Sequence, residues 1–254
     1  MSLDIRTAPV TVPVVPAAAG GAAPSAATAG TPAATSAPVP APAPAGVPGD
    51  APTASGAAAI RAHVRDLAPV LRSLEDQADQ LEAWGVELVD RLSAGHRLLA
   101  AGNGGSAAEA QHLTSEFVGR FAGDRPSFSA ISLHAESSAV TAIGNDYGYD
   151  QVFARQVRGH GRAGDVLVLL STSGSSANLI EAAHAAREVG VTTWAVTGPG
   201  PNPLVTVCDE ALTLDGPSSS VQEAQLVAVH ALCLVFDAEV ARRGVTGPDR
   251  GVRS

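Results

Sequence analysis

The sequence predicts an α/β protein with a doubly wound parallel sheet, preceded by a disordered arm. Short apolar runs alternate with helical segments from about residue 97 to residue 242, which is the pattern of a parallel sheet covered by helices. The run at residues 166–170 is continuously apolar, as expected of a strand buried on both faces. Residues 1–58 hold 11 of the 18 prolines, three charged residues and no aromatic residue, a composition that cannot form a packed core. The sequence therefore predicts an arm at 1–58 and one domain at 59–254.

The elements of that domain follow from the spacing of apolar residues. A first helix is predicted over residues 59–93, with Pro69 and Gly85 as places where it could break or bend. Strands are predicted at residues 97–101, 128–133, 165–170, 192–197 and 210–214. Further helices are predicted at residues 107–121, 178–189 and 221–242.

Composition excludes several classes of protein. All 16 basic residues are Arg, so a lysine Schiff base, a pyridoxal phosphate anchor and a Walker P-loop are ruled out. The net charge is −9, so the sequence predicts no basic surface patch of the kind that binds nucleic acid or an anionic membrane. No apolar run approaches the roughly 20 residues of a membrane span, and the N-terminus lacks a secretory signal. The two cysteines have no metal-type spacing and are expected to be reduced. A cytoplasmic enzyme or binding module is therefore predicted.

Two loops are candidates for binding a phosphate group. Residues 171–176 follow the clearest strand with five hydroxyl side chains, and they lead into a helix whose free N–H groups can hold an anion without lysine. An ordinary serine-rich helix cap is the alternative interpretation. The glycine-rich loop at 102–106 is not a dinucleotide fingerprint. Its glycines still allow a ligand to approach the backbone, with Asn103 and Ser106 as polar contacts.

Four side chains are candidates for metal binding. His112 and Glu116 lie four residues apart on one helix face, and Gln222 and His230 lie eight apart on the last helix. Their nitrogen and oxygen donors suit Zn²⁺. Each residue also has an ordinary structural interpretation, as a solvated side chain or a core histidine, because the sequence does not show that the two helices meet.

A turn is predicted at residues 145–148, whose sequence is Asn-Asp-Tyr-Gly. The Asn145 amide and the Asp146 carboxylate are able to contact a sugar. Composition alone favours an ordinary turn.

Four stretches of the sequence resemble the phosphoheptose isomerase family. They are residues 102–112 with Glu116, Gly119 and Arg120; residues 144–149; residues 171–174; and residues 222–223 with His230. The resemblance covers about residues 65–242, with the motifs in family order. It implies the sugar isomerase (SIS) fold, a flavodoxin-like three-layer sandwich. It also implies conversion of sedoheptulose 7-phosphate to D-glycero-D-manno-heptose 7-phosphate.

The resemblance also implies roles for individual residues. One Zn²⁺ per subunit would be bound by His112, Glu116, Gln222 and His230, with Glu116 also the catalytic base and His230 the acid. Substrate contacts are implied for Asn103, Gly104, Gly105, Glu116, Arg120, Asn145, Asp146, Ser171, Thr172, Ser173, Ser176 and Gln222. The sequence departs from the family at four positions. The family commonly has Asp in place of Glu109, Asn in place of Ser175, Asp or Thr in place of Ser219, and His in place of Gln225.

Assembly into a homotetramer is implied by the resemblance, and the sequence gives a physical reason for at least a dimer. The last helix is apolar over more than one stripe, including Val227 and Leu234, and a monomer would expose a contiguous apolar patch. Relatives with the same fold also include binding proteins, such as a replication-initiation regulator that associates with DnaA. The sequence favours the enzyme because all four ligand positions are intact.

Overall fold

The computed structural model describes residues 55–246, so most of the predicted arm at 1–58 lies outside the described residues. The strands are β1 Leu98–Gly102, β2 Ala130–Ser132, β3 Val166–Ser171, β4 Thr192–Thr197 and β5 Glu210–Thr213. The helices are α1 Gly56–Glu75, α2 Ala78–Ser93, α3 Gly105–Val118, α4 Ser137–Tyr147, α5 Ala154–His160, α6 Ala177–Glu188, α7 Pro203–Val207 and α8 Ser218–Arg243.

The sheet has the order β2-β1-β3-β4-β5, and every neighbouring pair is parallel. The central strand β3 is buried along its whole length, because helices cover both faces of the sheet. The order reverses direction between β1 and β3, and ligands of such sheets bind at the carboxyl ends of strands at this point. The predicted doubly wound, flavodoxin-like architecture is confirmed.

Two apolar cores lie on the two faces of the sheet. One packs α1, α2, α3 and α8 against side chains such as Leu98 and Val168, and it contains the stacked rings of Trp84 and Trp194, 4.6 Å apart. The other packs α5, α6 and α7 against Leu99 and Leu167. Because α3 and α8 share one face, chemistry placed on both helices can meet there.

The first predicted helix is two helices in the structure. It begins at Gly56 and breaks after Glu75, whereas Pro69 lies inside α1. At the break, the Gln77 side chain hydrogen bonds both the N–H and the carbonyl oxygen of Thr213 on the edge strand β5. Gly85 lies inside α2 and allows α8 to pack closely against that helix. A Cβ at Gly85 would lie 2.4 Å from a methyl carbon of Val235.

The prediction of a turn at residues 145–148 is wrong. Asn145 to Tyr147 form the last turn of α4, and the helix ends at Gly148, whose φ is +88°. Helices α4, α5 and α7 were not predicted, since they are short or carry few apolar residues. Other boundaries shift by up to three residues, and the second strand is half as long as expected.

Helix α8 is the one helix of the described region that is long and apolar enough to cross a bilayer. Half of its most apolar segment is buried within the domain, as in the core helix of a soluble protein. Cys233 on this helix and Cys208 before β5 are free thiols. Burial raises the pKa of both to about 12, so both stay protonated at neutral pH.

Candidate active site

The two candidate loops lie together at the carboxyl edge of the sheet. β1 ends in the glycine-rich loop (residues 102–106), and β3 ends in residues 171–176, here called the serine loop. The two strands are hydrogen-bonded neighbours. Between the loops is a cavity of about 90 Å³ lined by Asn103, Ser106, Leu170, Ser171, Thr172, Ser173 and Ser176. The structure therefore places five of the predicted substrate contacts around one small polar cavity.

The serine loop divides its hydroxyls between structure and solvent. Ser171 is buried, and its Oγ accepts a hydrogen bond from the Gly174 N–H at 3.0 Å. Gly174 has a φ of +62°, and a Cβ there would overlap the Asn202 side chain, so glycine is required. The hydroxyls of Thr172 and Ser176 have no protein partner among residues 55–246 and remain available to a ligand.

The glycine-rich loop brings α8 against the start of α3. A Cβ on Gly105 would lie 1.9 Å from the Gln222 side chain, so glycine lets this amide rest on the loop. Ser106 Oγ donates to Gln225 Oε1 at 2.9 Å, and Gln225 Nε2 donates to the Val196 carbonyl at 2.8 Å. These bonds, around a fully buried Gln225, fix the two helices at this end.

Further along the same two helices, three of the four predicted metal ligands meet. His112 Nε2 lies 3.1 Å from His230 Nε2 and 3.2 Å from Glu116 Oε1. Phe121 packs beside the His230 ring, with centroids 5.2 Å apart. Since His112 and Glu116 are only partly buried, a substrate can reach this cluster. The contact between helices, which the sequence did not establish, is present.

Zinc fits the donor chemistry of this cluster. Two imidazoles and one carboxylate form a known catalytic zinc set, and Zn–N distances of about 2.0–2.1 Å place neighbouring donors about 3.3 Å apart. In the described residues, however, no three His, Cys, Asp or Glu side chains surround one common point, so a bound ion would require side-chain rotation. Gln222 lies apart, about 12 Å along α8 from His230, with its amide on Gly105.

Glu109 is a further titratable group in the seam between α3 and α8, which also contains His112, Glu116 and His230. The sequence analysis assigned it no role. It lies one turn before His112 on α3. Burial raises the pKa of its carboxyl, an effect that electrostatic interaction with the nearby His112 and His230 rings partly offsets. The spacing of three residues to His112 is the signal that could have indicated it.

Seven predicted substrate contacts do not line the cavity. Gly104 and Gly105 belong to the glycine-rich loop, Glu116 and Gln222 lie on α3 and α8, and the other three are Arg120, Asn145 and Asp146. Arg120 follows the end of α3, bonds the Ala122 carbonyl, and is about 21 Å along the helix direction from Ser106. Asn145 and Asp146 are exposed, and the Asn145 amide donates to the Asp146 carboxylate at 2.8 Å. The segment that follows them does reach the cavity, because the Tyr149 hydroxyl donates to Asn103 Oδ1 at 3.2 Å.

Comparisons with known proteins show which family this chain resembles. Residues 62–198 match the SIS domain family model. A phosphoheptose isomerase from Streptomyces coelicolor is 59% identical over 71% of this chain and 78% of its own length. One from a Bradyrhizobium species is 43% identical over 70% of this chain and 92% of its own.

Solved structures of this family have the same fold. The phosphoheptose isomerase GmhA from Neisseria gonorrhoeae matches with a TM-score of 0.65 and 38% identity, over 71% of this chain and 97% of that one. The phosphoheptose isomerase from Francisella tularensis matches with a TM-score of 0.63 and 30% identity over the same shares. The sheet order, the two loops and these similarities lead to one conclusion: the chain belongs to the phosphoheptose isomerase family of SIS-domain proteins.

Proposed function

We propose that this protein is a phosphoheptose isomerase that converts sedoheptulose 7-phosphate to D-glycero-D-manno-heptose 7-phosphate. The observation that carries the proposal is the meeting of His112, Glu116 and His230 between α3 and α8. Such a cluster supplies both proton-transfer groups and metal donors. Family membership supports the same reaction.

The phosphate is assigned to the serine loop. Thr172, Ser173 and Ser176 offer hydroxyl donors, and α6 begins directly after them, so its free N–H groups and dipole favour an anion. No lysine is needed for such a site. Six residues of α3 separate Ser106, which lines the cavity, from His112, a rise of about 9 Å. That separation suits a sugar whose phosphate and carbonyl lie at opposite ends of a long chain.

The isomerisation is proposed to pass through a cis-enediol. The Glu116 carboxylate takes the proton from C1 of the ketose, a C1=C2 bond forms, and O2 receives a proton from His230. The O1 proton then returns to His230, the C1=O bond forms, and Glu116 delivers its proton to C2. Glu116 and His230 are therefore each assigned two roles, proton transfer and metal binding.

We propose one zinc ion per subunit, held by His112, Glu116 and His230, with Gln222 as the fourth ligand. When bound, zinc stabilises negative charge on the substrate oxygens and makes the C1 proton more acidic. The donor separations of 3.1 and 3.2 Å support this assignment, and Gln222 would have to leave Gly105 to join it.

We further propose a cytoplasmic homotetramer whose ligand is a sugar phosphate, with neither nucleic acid nor membrane as a partner. Val227 and Leu234, the two apolar positions named from the sequence, are 43% and 57% exposed on α8, which supports burial against another copy. Arg120 is remote from the serine loop of its own chain, so it would reach such a loop only across a boundary between copies.

The test is an isomerisation assay on sedoheptulose 7-phosphate with metal-replete and chelated protein. We expect the aldose product from the metal-replete protein, loss of turnover on chelation, and recovery when Zn²⁺ is restored. Turnover that is unchanged after complete removal of metal would contradict the zinc assignment. No turnover of any ketose phosphate by metal-replete protein would contradict the enzyme and favour a binding module.

A further inference from the structure

A buried asparagine, Asn178, pairs with the Asn103 side chain at the edge of the serine cavity. Each amide donates to the oxygen of the other, and both hydrogen bonds are 2.9 Å long. Asn178 lies in the first turn of α6 and is 3% exposed. It is not among the residues that line the cavity, whereas Asn103 is.

A third group completes the arrangement around Asn103. The Tyr149 hydroxyl donates to the same Asn103 Oδ1 at 3.2 Å. An amide oxygen accepts two hydrogen bonds, and an amide nitrogen donates two. The oxygen of Asn103 is therefore fully used, and one N–H of its Nδ2 has no acceptor among residues 55–246.

We propose that Asn178 is a positioning residue that holds the Asn103 amide, because turning Asn103 alone would break both hydrogen bonds, and that the free N–H of Asn103 then faces the ligand. The inference rests on the proposed function for the ligand's identity as a sugar phosphate. The terminal torsion of asparagine has two broad orientations related by a half-turn. A turned Asn103 would present an acceptor to a ligand whose oxygens are themselves acceptors.

The burial of Asn178 makes this orientation persistent. A buried amide left without a partner costs more free energy than one hydrogen bond contributes, so the pair is maintained whether or not a ligand is present. Because α6 begins directly after the serine loop, Asn178 also ties the orientation of Asn103 to the loop assigned to the phosphate. The donors of the two loops are thereby fixed relative to each other before binding.

The experiment is a double-substitution cycle with Asn103→Ala, Asn178→Leu and the double variant. For each protein we would measure kcat and KM for sedoheptulose 7-phosphate and, separately, Kd for inorganic phosphate by calorimetry. We expect Asn178→Leu to raise KM or the phosphate Kd by about tenfold, as for the loss of one well-placed hydrogen bond. The same substitution should add nothing in the Asn103→Ala background, because Asn178 acts only through Asn103.

The matched control is Gln156→Leu on α5. It removes another buried amide, which donates to the Val152 carbonyl, without touching the cavity. The control should bind like the wild type. A similar loss of binding in Gln156→Leu would show that the effect reports general packing and would overturn the assignment.

Two other results would also overturn the assignment. One is wild-type binding by Asn178→Leu. The other is a double variant whose fold-change in KM or Kd equals the product of the fold-changes of the two single variants, because Asn178 would then act independently of Asn103. If Asn178→Leu does not fold, Asn178→Ser tests the same point, because the shorter hydroxyl side chain cannot pair with both atoms of the Asn103 amide. The loss of binding should again disappear in the Asn103→Ala background. Coupled phosphate binding without isomerisation would support the role of Asn178 while the proposed function fails. A wild type that binds neither probe would overturn both.

Discussion

The seam between α3 and α8 has two halves with opposite character. The half nearer the loops contains His112, His230 and Gln222, which are partly exposed and can exchange their contacts with a ligand. The far half contains Arg125 and Asp237, which form an ion pair of 2.5 Å in a nearly closed environment. The two halves meet at Glu116, whose carboxylate contacts His112 while its backbone carbonyl accepts from Arg125.

In the far half, Arg125 makes several further contacts besides its ion pair with Asp237. The Arg125 guanidinium also donates to the Phe117 and Pro126 carbonyls. It lies 5.3–5.9 Å from the ring centroids of Phe117, Phe128 and Phe236, which contact one another. One half of the seam therefore provides rigidity and the other provides exchangeable donors, so substitutions in the far half should affect stability and those nearer the loops should affect turnover.

The largest expected effect is on stability, from Asp237→Ala in the far half. Removing the carboxylate leaves a buried Arg125 without its counter-charge, which costs about 3–5 kcal/mol in the free energy of unfolding. Urea unfolding measures this loss. Arg242 provides the control, because its side chain is 69% exposed and its partner Glu239 keeps a second ion pair with Arg243, so that Arg242→Ala should cost much less. Equal losses in the two variants would remove the distinction between the halves.

The next effect is on turnover, from Glu116→Gln in the half nearer the loops. The amide cannot accept the C1 proton, so kcat should fall by on the order of 100-fold or more. Phosphate binding and the urea midpoint should change little, since the backbone contact with Arg125 remains. Gln111→Ala, at an exposed position of α3, is the control. Turnover near that of the wild type in Glu116→Gln would exclude Glu116 as the base.

A smaller effect is expected from the outer face of α8. Arg in place of Leu234 puts a charge on the exposed apolar surface, so light scattering should show dissociation, with activity falling as the assembly is diluted. Thr141→Arg, at an exposed position of α4, is the control. A Leu234→Arg protein with unchanged mass and turnover would show that this face is not an interface.

The smallest effect comes from His134, outside the seam. Both of its ring nitrogens are buried and have no hydrogen-bond partner within residues 55–246, and burial lowers the pKa of the ring below its usual 6.5. The unfolded chain then binds the proton more tightly, so stability is lost as pH falls from about 6.5 toward the lowered value. Urea unfolding at pH 7.5 and 5.5 should show a smaller loss for His134→Leu than for the wild type. Equal losses would contradict the role assigned to His134.

Local patterns were predictable from the sequence, whereas contacts between distant segments were not. The strand at residues 192–197 is found at its predicted bounds, because its run of β-branched and aromatic residues is typical of a strand. The serine loop is recognisable because its hydroxyls directly precede a helix. The contact of His112 with His230 joins residues 118 positions apart, and no local pattern encodes it. The Asn103–Asn178 pair and the Arg125 network depend in the same way on tertiary packing.

The measurement that tests the central claim most directly is isomerisation of sedoheptulose 7-phosphate in D₂O. When the proton that Glu116 has taken from C1 exchanges with solvent before the enediol is reprotonated, solvent deuterium enters C2 of the product or C1 of recovered substrate, and this exchange should be lost in Glu116→Gln. Turnover and deuterium incorporation at the wild-type rate in Glu116→Gln would contradict proton transfer through this carboxylate.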